Sequence, residues 1–380
     1  MHPRRPLLLV GLLAAAVGAA VAADPLRLYL GTFTTRGSRQ AEGIYVADFD
    51  AERGALGPLR LAARATDPSW LAPDGPRGRL YSVNRPGGGG TVAAYAVEVD
   101  GALTFLNEQD ARGANPAHLA LAPDGRAVVV SNYRGSNFVL LPLAPDGRLR
   151  PAAQVHALTH RSIHPHRQAQ PHPHSFNFSP RLGAALGVGS DAGGDRLYQF
   201  RYDAAAGMLA AAKPAWVEIP AGAGPRHLTF HPTLPVAYAV NELFNTVAVL
   251  DEDAAAATLR YRTQVLTLPR DAVVASTASE VVVHPSGRFA YASNRGHDSI
   301  AVFAVDPRDG GLAPRGHVSS GGRTPRHFAC DPTGRWLLVA NQDSDDIVVF
   351  AIDATTGALT PHGPPVAAPT VVCLRFWPPP

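Results

Sequence analysis

Polar residues able to move protons or hold negative charge recur in five short stretches of this 380-residue chain. They are His172-Pro173-His174, Gly224-Pro225-Arg226-His227, Asn241-Glu242-Leu243, Ser293-Asn294-Arg295-Gly296 and Thr324-Pro325-Arg326-His327. A carboxylate or an imidazole can take a proton from an attacking water. Guanidinium groups can stabilise an oxyanion and grip a carboxylate or phosphate in a two-pronged fork. The same Arg and Glu residues would serve equally well as an ion-pair network that only braces the fold.

Two other groups of residues could carry chemistry. Six of the fifteen histidines, His156, His160, His164, His166, His172 and His174, fall in one stretch. Clustered neutral imidazoles can bind zinc or copper. No Asp or Glu accompanies them, so a polar loop is the favoured reading, with no metal and no cofactor expected. Cys330 and Cys373 form no C-x-x-C or zinc pattern.

These stretches sit in a repeat. His118-Leu119-Ala120-Leu121-Ala122-Pro123-Asp124-Gly125, Val281-Val282-Val283-His284-Pro285-Ser286-Gly287 and His327-Phe328-Ala329-Cys330-Asp331-Pro332-Thr333-Gly334 each read as a strand ending in a Pro-x-Gly turn. A second strand follows and ends in Asn or Asp: Asn84, Asn132, Asp191, Asn241, Asn294, Asn341. A third strand then leads to a Gly-x-Leu turn, as in Gly147-Arg148-Leu149. The first strands align at Trp70, His118, Ser175, His227, Glu280, His327 and Val371, roughly 50 residues apart. Four short strands at that period predict propeller blades. Leu26–Asp67 supplies only later strands and Val371–Trp377 only a first strand, so the two ends complete one blade. The expected fold is all-β: a seven-bladed propeller of four-stranded antiparallel blades, closed by pairing its terminal segments. Its register sends the Pro-x-Gly turns to the bottom. The loops after Asn or Asp, and the connections into each first strand, go to the top.

Composition bounds the partners. Gly (36) and Pro (35) are spread evenly, which disfavours a helical bundle. Lys213 is the only lysine, and no basic run or RNA-binding signature occurs, so no nucleic acid is expected. Arg4-Arg5, an apolar run from Leu7 to Ala20 and Ala20-Val21-Ala22-Ala23 form a cleavable export signal over residues 1–23. The propeller would then occupy 24–380, periplasmic or secreted, with no stable membrane span after cleavage. Without Arg4 and Arg5 the 34 basic residues become 32, against 31 acidic. The mature chain is therefore near neutral, and a monomer is expected.

The motifs Leu30-Gly31-Thr32-Phe33-Thr34, Gln170-Pro171-His172-Pro173-His174-Ser175, Gly224-Pro225-Arg226-His227, Asn241-Glu242-Leu243 and Ser293-Asn294-Arg295-Gly296-His297-Asp298-Ser299 occur in one order. In this the chain resembles the seven-bladed propeller lactonase family, which includes a bacterial type of 6-phosphogluconolactonase and the fungal 3-carboxy-cis,cis-muconate lactonizing enzyme. The resemblance implies a hydrolase opening a sugar lactone, a small-molecule substrate, and an active site at His174 (or His172), Arg226, Glu242 and Arg295. Glu242 is expected as general base, with His174 as general acid or second base. Arg226 and Arg295 would orient substrate and stabilise charge. His172, His227, Asn241, Asn294 and Arg326 are expected to bind substrate. A lactone-forming cycloisomerase and a non-catalytic ligand-binding propeller remain open at this point. One departure, the bottom turn after Ser179-Pro180, lacks Asp-Gly and lies opposite the expected site.

Overall fold

The computed structural model describes residues 26–37 and 40–377. The expected signal segment lies outside them. Among the described residues, no helix is long and apolar enough to cross a membrane.

Seven antiparallel sheets form the expected propeller. One complete blade runs Pro225–Phe230, Val236–Asn241, Thr246–Asp253 and Thr258–Leu266, each strand pairing with the next. The last blade is shared. Val371–Trp377 pairs antiparallel with Leu26–Thr32, from Arg27 opposite Trp377 to Gly31 opposite Cys373. That pairing ties the two ends of the ring together and removes an open sheet edge. The only helical turns among the described residues are Gly75–Arg77 and Pro86–Gly88.

Apolar residues fill the gaps between blades. Val236, Tyr238 and Val240 of one blade pack with Val281, Ala290 and Ala292 of the next. The second strands of several blades carry a tyrosine that links neighbours. Tyr81, Tyr238 and Tyr291 donate to the carbonyls of Gly147, Gly310 and Gly357. These glycines sit at the Gly-x-Leu turns with φ of 86°, 75° and 74°, where a Cβ would be strained. The turn motif thus gives several blades a fixed acceptor for a neighbour's tyrosine. At the departing turn, the Ser179 hydroxyl accepts hydrogen bonds from the amides of Arg181 and Leu182, as the His231 ring does from Thr233 and Leu234.

Successive strand residues face opposite sides, and the cysteines follow the register. Cys373 packs with Trp70 and Tyr29, whereas Cys330 packs against the cluster of Phe289 and Phe328. Both are free thiols. Denatured, unreduced protein should titrate with two thiols, and finding none would contradict this register.

Candidate active site

Proline-led bulges aim the top-face residues. Pro225 pairs with Asn241 and His227 with Val240, leaving Arg226 as the extra residue in its strand. The same shift isolates His174 between Pro173 and Ser175, and Arg326 between Pro325 and His327. A bulge kinks the strand and re-aims the inserted side chain. His174 and Arg326 thereby line a pocket of about 230 Å³ at the top of the channel, together with Glu242, Arg295 and Tyr133. Phe33, Arg36, Arg85 and Arg134 complete most of its wall. A larger hollow, of about 600 Å³, lies among bottom turns near Gly125 and is lined by no carboxylate or imidazole.

Glu242 is buried at the centre of the cations. Its Oε1 lies 3.0 Å from Arg295 Nη2 and also accepts from Arg167 Nη2, while Oε2 lies 3.6 Å from Arg226 Nε. Burial alone would raise its pKa. Arg295, Arg226 and Arg167 outweigh burial and hold the carboxyl at about 2. The assignment of Glu242 as general base therefore meets a physical objection: its oxygens face guanidiniums, and its proton affinity is low. Burial lowers the pKa of Arg226 to about 10, and Arg295 adds to the shift. Burial, then Arg226, His227 and Arg326, push His174 well below 6.5, so its ring is neutral.

Not every expected substrate contact reaches the pocket. Asn241 donates to Thr246 Oγ1 at 2.9 Å, and Asn294 to the Thr267 carbonyl at 2.7 Å. Both pin the loops that carry Glu242 and Arg295 and do not line the pocket. His172 stacks on Tyr133 with ring centroids 4.4 Å apart, its Nδ1 2.8 Å from the Tyr133 carbonyl. His227 lies below the pocket, with its Nδ1 2.7 Å from Glu280 Oε2. Trp70 packs edge-on against His227 and His327, so these groups plug the channel under the site. Arg226 is sealed behind Glu242, its Nη1 donating to the Ser279 carbonyl at 2.6 Å. Arg326 lines the pocket as expected, near the Phe33 ring.

Arg167, Tyr133, Phe33, Arg36, Arg85 and Arg134 enter the site without having been singled out. Phe33, Arg85 and Tyr133 each follow the last residue of a strand directly, as Glu242 follows Asn241. That shared position was the available signal. The middle of the histidine-rich stretch forms turns: His164 Nδ1 accepts from the amides of His166 and Arg167. Among the described residues, no group of three His, Cys, Asp or Glu side chains is placed to hold a metal ion.

A propeller with its channel plugged and a polar pocket above the plug is built to hold a small ligand. Residues 27–376 match the family described as lactonase, 7-bladed beta-propeller. The 6-phosphogluconolactonase of Bacillus subtilis is 37% identical over 305 residues, covering 80% of this chain and 84% of its own. A second relative of that name, from Formosa agariphila, is 32% identical over 80% of this chain and 86% of its own. The solved periplasmic gluconolactonase of Pseudomonas aeruginosa superposes with a TM-score of 0.85 at 34% identity, covering 92% of this chain and 98% of that one. The chain belongs to the seven-bladed β-propeller lactonase family. Its class of activity is that of a lactone hydrolase, a carboxylic ester hydrolase.

Proposed function

We propose that the chain opens a sugar-acid lactone in the top pocket, as an exported enzyme. The observation that carries this reading is the convergence of neutral His174 with Arg295, Arg326 and the Glu242 ion-pair cluster on one small pocket. His174 takes the proton of the attacking water. The carbonyl oxygen gathers negative charge against Arg295 and Arg326, and as the acyl–oxygen bond of the ring breaks, the ring oxygen takes the proton back from His174 and leaves as the hydroxyl of the open acid. Glu242 remains an anion that holds its guanidiniums in place. The pocket wall carries Arg36, Arg85, Arg134, Arg295 and Arg326 against the single carboxylate of Glu242. This surplus of cations supports a ligand with negative charge, on the substrate or on the acid it becomes. Export rests on the residue 1–23 pattern and is consistent with the periplasmic relative.

The test is a pH-stat assay on a panel of sugar lactones, neutral and phosphorylated. Wild type should consume base on at least one of them. Hydrolysis of none would leave a ligand-binding propeller as the better description. In the same assay Glu242→Gln should lower turnover and also stability. Removing one member of a buried ion-pair cluster leaves uncompensated charge, at a cost of about 3–5 kcal/mol. Urea unfolding reads this loss, and an unchanged midpoint would show that the cluster does not hold the site.

A further inference from the structure

Three guanidiniums share the Glu242 carboxylate, but they are not equivalent. The side chains of Arg226 and Arg295 are 2% and 15% exposed, and that of Arg167 is 39% exposed. Arg226 is also fixed by the Ser279 carbonyl, and Arg295 by the Ala278 carbonyl at 3.2 Å. The Arg167 guanidinium meets Glu242 and has Tyr133 beside it, with no backbone acceptor among the described residues. Two of the cations are thus built into the blades. The third reaches in from the connection between Gln154–Ala157 and Pro173–Ser179.

The root of that third arm is firmly held. Gln168 is fully buried, and its Nε2 donates to the Ala192 carbonyl at 3.0 Å and to Asp195 Oδ1 at 2.8 Å. Asp195 also accepts from the amides of Gly222 and Gly224, both at 2.6 Å, just before Arg226. One buried carboxylate therefore fixes the backbone that delivers both Arg167 and Arg226. An arm with a fixed root and an exposed tip can exchange one anion for another without reordering its loop. Only the side chain has to turn.

We propose that Arg167 is a substrate-contacting residue, which turns from Glu242 to an anionic group on the ligand, and that the Gln168–Asp195 clamp sets its reach. The proposal rests on the lactonase reading of the same pocket. Glu242 keeps Arg226 and Arg295 after the exchange, so its negative charge stays compensated. The connecting loop then becomes a determinant of which lactone is accepted.

The experiment measures kcat and KM for the preferred lactone with wild type, Arg167→Gln and Gln168→Ala. A charge-assisted hydrogen bond lost from an exposed tip should raise KM about tenfold or more. For Arg167→Gln, kcat should stay within about threefold and Tm should not move. Gln168→Ala should raise KM by less, because the arm is loosened but retained. A KM for Arg167→Gln within about twofold of wild type overturns the proposal and leaves the lactonase reading intact. So does a fall in Tm and kcat with KM unmoved, which is the signature of a bracing role. If wild type opens no lactone, the lactonase reading falls, and Arg167 is judged by calorimetric binding of gluconate and 6-phosphogluconate. Weaker binding by Arg167→Gln then supports the contact, while equal affinity, or no binding by wild type, overturns it.

Discussion

His174→Gln should lose about 10²–10⁴-fold in turnover, the usual contribution of a positioned acid–base group. The glutamine keeps the length of the side chain but has no lone pair basic enough to hold the water's proton. His174 lines the pocket, and its Nδ1 is buried without a partner, so only Nε2 is left to take a proton from the pocket side. Burial and the neighbouring Arg226 push its pKa well below 6.5. A base works in its unprotonated form, so activity should persist as pH falls through 6.5 and fail only well below it. The pH profile of kcat/KM with a neutral lactone checks both statements. An acidic limb centred at or above 6.5 would mean another group supplies the base. Full activity in His174→Gln would exclude the histidine outright.

The fold was legible because four of the seven blades repeat the same three signals and the others keep at least one of them. The Pro-x-Gly turn, the terminal Asn and the Gly-x-Leu turn recur at one spacing, and each has a hydrogen-bonding job that forces it to recur. Asn132, Asn241 and Asn294 tie top loops down, and Tyr238 finds its acceptor at Gly310. The polar stretches marked His174, Arg295, Glu242 and Arg326 correctly as neighbours at the top. Roles were less legible than positions. Asn241 resembles a ligand contact in sequence, but Thr246 takes its amide. Glu242 resembles a base until the number of arginines around it is known, and one of them, Arg167, belongs to a stretch outside the repeat. Arg85 and Tyr133 could have been found by extending the register one residue past Asn84 and Asn132. Phe33 lies in a matched motif, but its function as a platform for Arg36, Arg85 and Arg326 depends on three blades meeting.

Mild acid should destabilise the fold. His118, His174, His227 and His327 are buried around the channel. Burial is the leading cause in each case, with nearby cations such as Arg226 and Arg375 adding to it. The first three are pushed well below 6.5 and His327 to about 3. Unfolding releases them to ordinary values near 6.5. Below that pH the unfolded chain binds protons that the folded chain does not, so stability is fully present above 6.5 and is lost as pH falls beneath it. Each histidine contributes about 1.4 kcal/mol to the loss between pH 7.5 and 5.5. Glu280 works in the opposite direction. Burial raises its pKa, so the native state gains a proton there before the unfolded state does. Burial also raises Asp191, to about 7, and it acts in the same sense as Glu280, so the net loss is smaller than the roughly 5–6 kcal/mol that the four histidines alone would give. Urea unfolding at pH 7.5 and 5.5 should show the midpoint falling with the slope unchanged. His118→Gln should flatten this dependence by about 1.4 kcal/mol over the same pH range, because one of the four buried channel proton sites is gone. Equal midpoints at the two pH values would mean that these imidazoles already carry charge in the native channel, and with it that His174 is not the neutral base.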